Sequence, residues 1–534
     1  MAADPKRERT EGHAFLVAAG ILLTRIVGLL RQYVFAHYFG LRSDPADAFN
    51  QSFRIPNFLQ NMFGEGVLSA SFIPVYSRLL ARGDEREAGR VAGAIGALLA
   101  LVTSVIVLVG MVATPLFIDV IAWGFHGAKR ELAIRIVRIL FPGAGLLVLS
   151  AWCLGILNSH RKFFLSYIAP VAWNVAMIAT LIGFGRRVDE SSLAIWLAYG
   201  SVAGSALQFL VQLPVVLALV RQLRFNVDTA AAEVREVIKN FVPVFISRGV
   251  VQISAFVDGM LATPLPTGAV TGLTNAQALY TLPVSLFGMA VSAAELPAMS
   301  SILGSDSEVA GYLRQRLNNG LRQIAFFIVP SAMAFLALGD VVAGAVFQSG
   351  KFQPEDARYV WTIVAGSAVG LLASTLGRLY SSTYYALRDT RTPLRFAVVR
   401  VALTTALGWF CALPLPRLLG VDPRYGVAGL TASAGVAGWV EFTLLRRTLN
   451  RRIGSTGLPL SLVARLWASA AVGAVAGWAV KLPLEGVAID HHRAQIVAVP
   501  ILGAYSLTYF AATYLLGVEE CVRTLGRVAR LRRG

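Results

Sequence analysis

The chain has 534 residues, 56% of them apolar and 15% charged, with a mean hydropathy of +0.63. Soluble domains carry about a quarter charged residues, so an ordinary soluble protein is excluded and a polytopic helical membrane protein is indicated. A formal net charge of +18 would suggest nucleic acid in a soluble chain. Here the basic residues stand mostly in short loops between apolar runs, which is the pattern of membrane topology.

About 20 apolar residues cross a hydrocarbon core. Fourteen segments approach that length: 14–38, 46–80, 90–120, 132–158, 163–185, 192–221, 237–263, 270–303, 317–339, 357–387, 392–414, 425–446, 461–482 and 495–518. The second and eighth are long and hold Pro56, Pro74, Pro283 and Pro297, so they are expected to bend or break at those residues. With the N-terminus inside, the cytoplasmic segments hold 28 Lys and Arg and the external loops 11. That asymmetry puts both termini in the cytoplasm.

The first span contains "TRIVGLLRQYVFAHYFG" (24–40), with Arg25 and Arg31 six positions apart. A charge at mid-bilayer costs roughly 2.5 to 3.5 kcal/mol on insertion scales, so each arginine must face protein, water or an anion. On an ideal helix the two are about 120° apart and roughly 9 Å along the axis. Arg54 follows in the second span, near Asp47, Asn57 and Glu65, and Arg248 lies in the seventh span ten residues before Asp258. The planar guanidinium fork suits phosphate and carboxylate. A cationic site in the membrane therefore fits an anionic head group, above all a diphosphate. The acidic and amide residues are candidates for charge pairing and gating, and Asp258 for an ion ligand or a partner of Arg248.

An internal repeat is also visible. "IPNFLQNMFGEGVLSASFIP" (55–74) matches "LPVSLFGMAVSAAELP" (282–297), and "GILNSHRKF" (155–163) matches "YALRDTRTP" (385–393). Pro56 to Pro283 is 227 residues and Arg161 to Arg391 is 230. Internal repeats are a transporter pattern. The expected fold is all-α, with two pseudo-symmetric six-helix lobes, 1–222 and 235–451. Two extra helices and a basic cytoplasmic tail follow over 452–534. Cys153, Cys411 and Cys521 are too scattered for a disulfide framework or a metal site, and "GEG" lacks a phosphate-loop pattern. No catalytic motif stands out, so a transporter rather than an enzyme is expected, with no cofactor.

The stretch 24–80 resembles the lipid II flippase family (MurJ, or MviN), within the multidrug/oligosaccharidyl-lipid/polysaccharide exporter superfamily. The matching pieces are "TRIVGLLRQYVFAHYFG", "DAFNQSFRIPNFLQNMFGEGVLSASFIPVYSRLL", "GILNSHRKFF", "FQSGKF" and "YALRDTRTP". The resemblance implies a multi-pass protein of the bacterial inner membrane with a basic central cavity. The last two helices would form a groove for a polyprenyl tail. The implied partner is undecaprenyl-diphosphate-linked peptidoglycan precursor, moved from the inner to the outer leaflet by alternating access. Membrane potential, or a monovalent ion, is the implied source of coupling. Other implied partners are membrane lipids and cell-wall synthesis proteins. Arg25 and Arg31 fall on functionally important arginines of the family, and Asp47 and Glu65 on its acidic positions.

The chain departs from the family pattern at three places: Gln32 stands where Asp is frequent, and Gln60 and Ala278 where arginines are usual. Arg248 is expected to supply the missing charge. The competing functional readings are an exporter of another polyprenyl-linked oligosaccharide or small organic solute, and a non-transporting cell-wall scaffold.

Overall fold

A computed structural model describes residues 5–226, 231–302, 305–485 and 493–524, with the side chains of 5–19, 21, 65, 246–251, 253–255, 485 and 493 outside the description. Among the described residues there are helices and no strands. They run α1 Pro5–Phe39, α2 Asp44–Ser52, α3 Arg54–Phe63, α4 Glu65–Ala81, α5 Glu85–Ile121, α6 Gly127–Ser159, α7 Phe163–Phe184, α8 Glu190–Leu219 and α9 Ala232–Ala262. Next come α10 Ala269–Pro283, a π-helical turn Val284–Met289, α11 Ala290–Ser300, α12 Asp306–Phe347 and α13 Pro354–Ala386. The chain ends with α14 Arg391–Ala412, α15 Pro414–Leu418, α16 Gly426–Ile453, α17 Leu460–Glu485 and α18 Arg493–Leu515.

Eleven of these stretches are long and apolar enough to cross a membrane. The other three expected spans fall on α1, on α2 to α4, and on α9. Those three carry Arg25, Arg31, Asp47, Arg54, Arg248 and Asp258.

The second segment breaks, but not at its prolines. The interruptions are at Phe53 and Gly64. Pro56 stands in the first turn of α3, where a missing N–H costs nothing, and Pro74 lies inside α4. Gly64 is extended (φ −78°, ψ −157°), and a Cβ there would come within 2.0 Å of the Gln60 carbonyl oxygen. Only glycine fits this corner. In the eighth segment the π turn begins directly after Pro283, while helix continues through Pro297. A proline lacks the N–H that would close the preceding turn, and the wider i→i+5 pattern absorbs the mismatch.

The chain divides into two compact units, Met1–Val270 and Thr271–Gly534. In the first, the core is built from Phe72, Tyr76, Val91, Ile95, Trp152 and Ile156. The Trp152 indole N–H donates to the Ala92 carbonyl at 3.0 Å. Helix α9 belongs to this unit, against α3, α4 and α5. In the second unit, α13 packs on α12 and α16, and α17 and α18 pack on each other and on α12. Gly370 of α13 meets Gly435 of α16 so closely that a Cβ on Gly370 would lie 2.3 Å from the Gly435 Cα.

The internal repeat is present in the backbone. Helices α6 and α13 are each 33 residues long and start 227 residues apart. Each ends in a turn with a left-handed arginine, Arg161 (φ 60°) and Arg388 (φ 59°). The turns close with matching bonds, Lys162 N–H to Leu157 O and Asp389 N–H to Tyr384 O, both near 2.8–2.9 Å. Arg161 therefore corresponds to Arg388 rather than Arg391, and the offset equals that of Pro56 and Pro283.

Candidate functional site

Helix α1 brings its two arginines to different surroundings, as six residues of helix require. Arg25 is exposed. Arg31 is half-buried, with its Nε shut off and making no hydrogen bond among the described residues. Its guanidinium lies over the Phe53 ring, 5.1 Å from the centroid, and Nη1 is 4.0 Å from the Met177 sulfur. These are weak partners for a group with five donors. Arg54, Arg322 and Arg400 by contrast each face a carboxylate: Asp258, Glu520 and Glu441.

The platform under Arg31 is built from several helices. Phe53 is placed by the break between α2 and α3 and stacks on Trp173 of α7, with centroids 5.4 Å apart and planes at 14°. The Trp173 indole N–H donates to the Ser201 carbonyl (3.1 Å) and hydroxyl (3.2 Å) on α8. Gly204 allows that approach, since a Cβ there would sit 2.7 Å from Trp173 Cδ1. Thr24 ties α1 to α7 by donating to the Tyr167 carbonyl at 2.7 Å. An aromatic stack thus holds one guanidinium whose donors meet no acid among the described residues.

Arg54 starts α3 and lies against Gly259 of α9, together with the Gln51 side chain. Asp258 is its electrostatic partner, so the aspartate considered as an ion ligand faces a guanidinium from another helix. Asp47 is buried, at 1% exposure. Its Oδ2 accepts from Lys129 Nζ at 2.9 Å and from the Gly268 N–H at 2.9 Å. Lys129 also reaches Asp44 at 2.9 Å. A lysine from the start of α6 pairs with Asp47 because α2 lies along α6. Sequence reasoning passed over Lys129, and a lone lysine in a short loop gives no signal by itself.

Asn57 and Gln60 are half-buried one turn apart on α3, and Gln32 is buried on α1. Ala278 is half-buried on α10. The side chains of Glu65 and Arg248 lie outside the described residues. Glu65 opens α4 directly after the Gly64 corner, and Arg248 falls within α9. Among the described residues, no three His, Cys, Asp or Glu side chains gather as a metal site would require.

A family model described as lipid II flippase MurJ matches residues 35–488. A probable lipid II flippase MurJ of Vibrio cholerae is 28% identical over 94% of this chain and 95% of its own length. The lipid II flippase MurJ of Burkholderia cenocepacia is 30% identical over 82% of this chain and 84% of its own. Among solved structures, lipid II flippase MurJ in an inward closed conformation aligns with a TM-score of 0.76 at 21% identity, covering 94% of this chain and 99% of that one. An inward-facing multidrug MATE transporter aligns with a TM-score of 0.63 at 17% identity, covering 82% and 98%. At those identities the two structures speak for the fold alone.

Proposed function

The chain belongs to the lipid II flippase MurJ family, and we propose that it carries lipid II across the inner membrane by seating the diphosphate on Arg31. The observation that supports this reading is the state of that guanidinium: it lies against a ring and a sulfur, with Nε unbonded among the described residues. A diphosphate offers several charged oxygens to the same fork, and charge-assisted bonds of this kind are roughly twice as strong as neutral ones. Arg25, exposed about 9 Å along the same helix, is the second cation that the phosphate meets. Arg54 has part of its charge answered by Asp258 and contributes less. Arg248 remains the candidate for the charge absent at Gln60 and Ala278.

The positive-inside count supports a cytoplasmic placement of both termini. Coupling runs through the membrane potential. Carrying one elementary charge across 100 mV is worth about 2.3 kcal/mol, and a loaded cationic site changes its net charge when the diphosphate binds or leaves.

The test is complementation of a bacterial strain depleted of its lipid II flippase, with wild type, Arg31→Ala and Arg31→Lys at matched membrane abundance. Wild type should rescue growth and Arg31→Ala should not, while lysine, a point charge without the fork, restores growth in part. Rescue by Arg31→Ala equal to wild type would overturn the assignment.

A further inference from the structure

The first unit contains an apolar cavity whose lining includes neither Arg31 nor the aromatic platform beneath it. It has a volume of about 450 Å³ and lies among α3, α5, α6 and α9. Its walls include Ile55 and Phe58, Val105 and Val109, Phe141, and Phe256. Every lining side chain is apolar, and Gly110 completes the wall. Phe58 and Phe256 meet edge to face at 5.2 Å and brace α3 against α9.

Two features bear on what fills it. Val105 and Val109 line the cavity and are also 52% and 58% exposed. They continue an exposed apolar strip on α5 through Leu108, Val112 and Leu116. The cavity therefore opens sideways along the face that a membrane-spanning helix turns to lipid. Outside the lining, Gln51 donates to the carbonyl of Ile121, and Arg54 lies against Gly259, next to Met260 in sequence. Ile121 and Met260 are themselves lining residues. Water gains nothing in an apolar chamber, and an empty one forfeits the dispersion contacts of its walls.

We propose that this chamber is a binding site for one acyl chain of a bilayer phospholipid, entering past Val105 and Val109 of α5. The volume falls at the lower end of the range for small-molecule pockets, which suits a single hydrocarbon chain with its head group left at the membrane surface. The chain props the broken helix α3 against α5 and α9. The chamber shares no lining residue with the Arg31 platform.

The test uses full-length protein in vesicles of phosphatidylethanolamine and phosphatidylglycerol. A tracer phosphatidylethanolamine carries a diazirine near the end of one acyl chain. After irradiation, peptides bearing Phe58, Phe141 and Phe256 should be labelled at least five-fold more than α7 peptides bearing the exposed Val175 and Ile182. Ile106→Trp, which fills the chamber, should remove that excess. Val109→Trp, at the open rim, gives the same readout should the first variant fail to fold. Labelling no higher than that of α7, or an excess that survives a folded filling variant, would overturn the proposal. So would displacement of the phospholipid label by a long-chain isoprenoid diphosphate that then labels the same peptides, because the occupant would be the substrate tail.

Discussion

Lys129→Ala tests whether the buried acid of α2 is structural. Lys129 is 13% exposed at its side chain and Asp47 only 2%, and their charged atoms are 2.9 Å apart. Removing one partner of such a pair takes a countercharge out of a nearly dry site, which costs roughly 3 to 5 kcal/mol. The Gly268 N–H still bonds the carboxylate at 2.9 Å, so the lower end, about 3 kcal/mol, is expected. The second bond, to Asp44, adds little because that side chain is 55% exposed. The assay is thermal unfolding of detergent-solubilised protein, comparing wild type, Lys129→Ala, Asp47→Asn and the double variant. The double variant should recover more than half of the loss, since the buried carboxylate charge leaves together with its countercharge. A Lys129→Ala protein that unfolds at the wild-type temperature would refute the reasoning. If the double variant is stable but fails to complement, the Asp47 charge serves the transport cycle as well as the fold.

The other predictions follow from single contacts. Gly370→Ala should destabilise by about 2 kcal/mol or more through overpacking, because its Cβ would overlap the Gly435 backbone. Gly438→Ala on α16, where nothing lies within 4 Å, should be neutral or gain up to about 1 kcal/mol of helix propensity; unfolding midpoints of the two variants check both. Arg388→Gly should raise the midpoint slightly, by an equivalent of about 0.5 kcal/mol, since relief of the left-handed strain exceeds the extra freedom of the unfolded glycine. At Asp44 burial opposes ionisation, yet Lys129 and Thr267 outweigh it and hold the carboxyl below its usual range. A depressed carboxyl contributes stability above the unfolded pKa, near 4, and loses it as pH falls through the lower folded value. The midpoint should therefore drop between pH 5 and pH 3, less steeply in Lys129→Ala, as a pH series of melts would show.

Much of the fold could be read from the sequence because the bilayer imposes length and polarity on every span. All fourteen expected segments fall on helices among the described residues, most with limits close to those expected, though α12 (Asp306–Phe347) extends well beyond 317–339 at both ends. Breaks were harder to place. Proline marks a missing donor, but a helix interrupts only where the surroundings need it to, and at Gly64 the decisive fact is that any Cβ would collide with the carbonyl of Gln60, four residues earlier. Charges in apolar runs were legible too, because they are expensive and therefore conspicuous. Their partners were not: Lys129 is 82 residues from Asp47, and Arg54 is 204 from Asp258. Such pairing is decided by which helices lie side by side, and a single sequence does not carry it.

The second unit shows the same limit at a kink. Leu338 of α12 has non-helical angles (φ −130°, ψ 21°) with no proline or glycine at that residue or just before it. The carbonyls released there find indoles from two other helices. Trp361 of α13 donates to Leu336 O at 3.1 Å, and Trp478 of α17 donates to Ala337 O at 2.9 Å. Two residues on, Asp340 binds Lys481 at 2.6 Å, and that lysine lies 4.7 Å over the Trp478 ring. A helix in hydrocarbon can leave its own hydrogen-bond ladder only where neighbours supply the missing partners. The kink is therefore a property of three helices together, and α17 is held by the irregularity of α12 as much as by the small apolar cluster of Leu338, Ala474, Ile501 and Tyr505 around it.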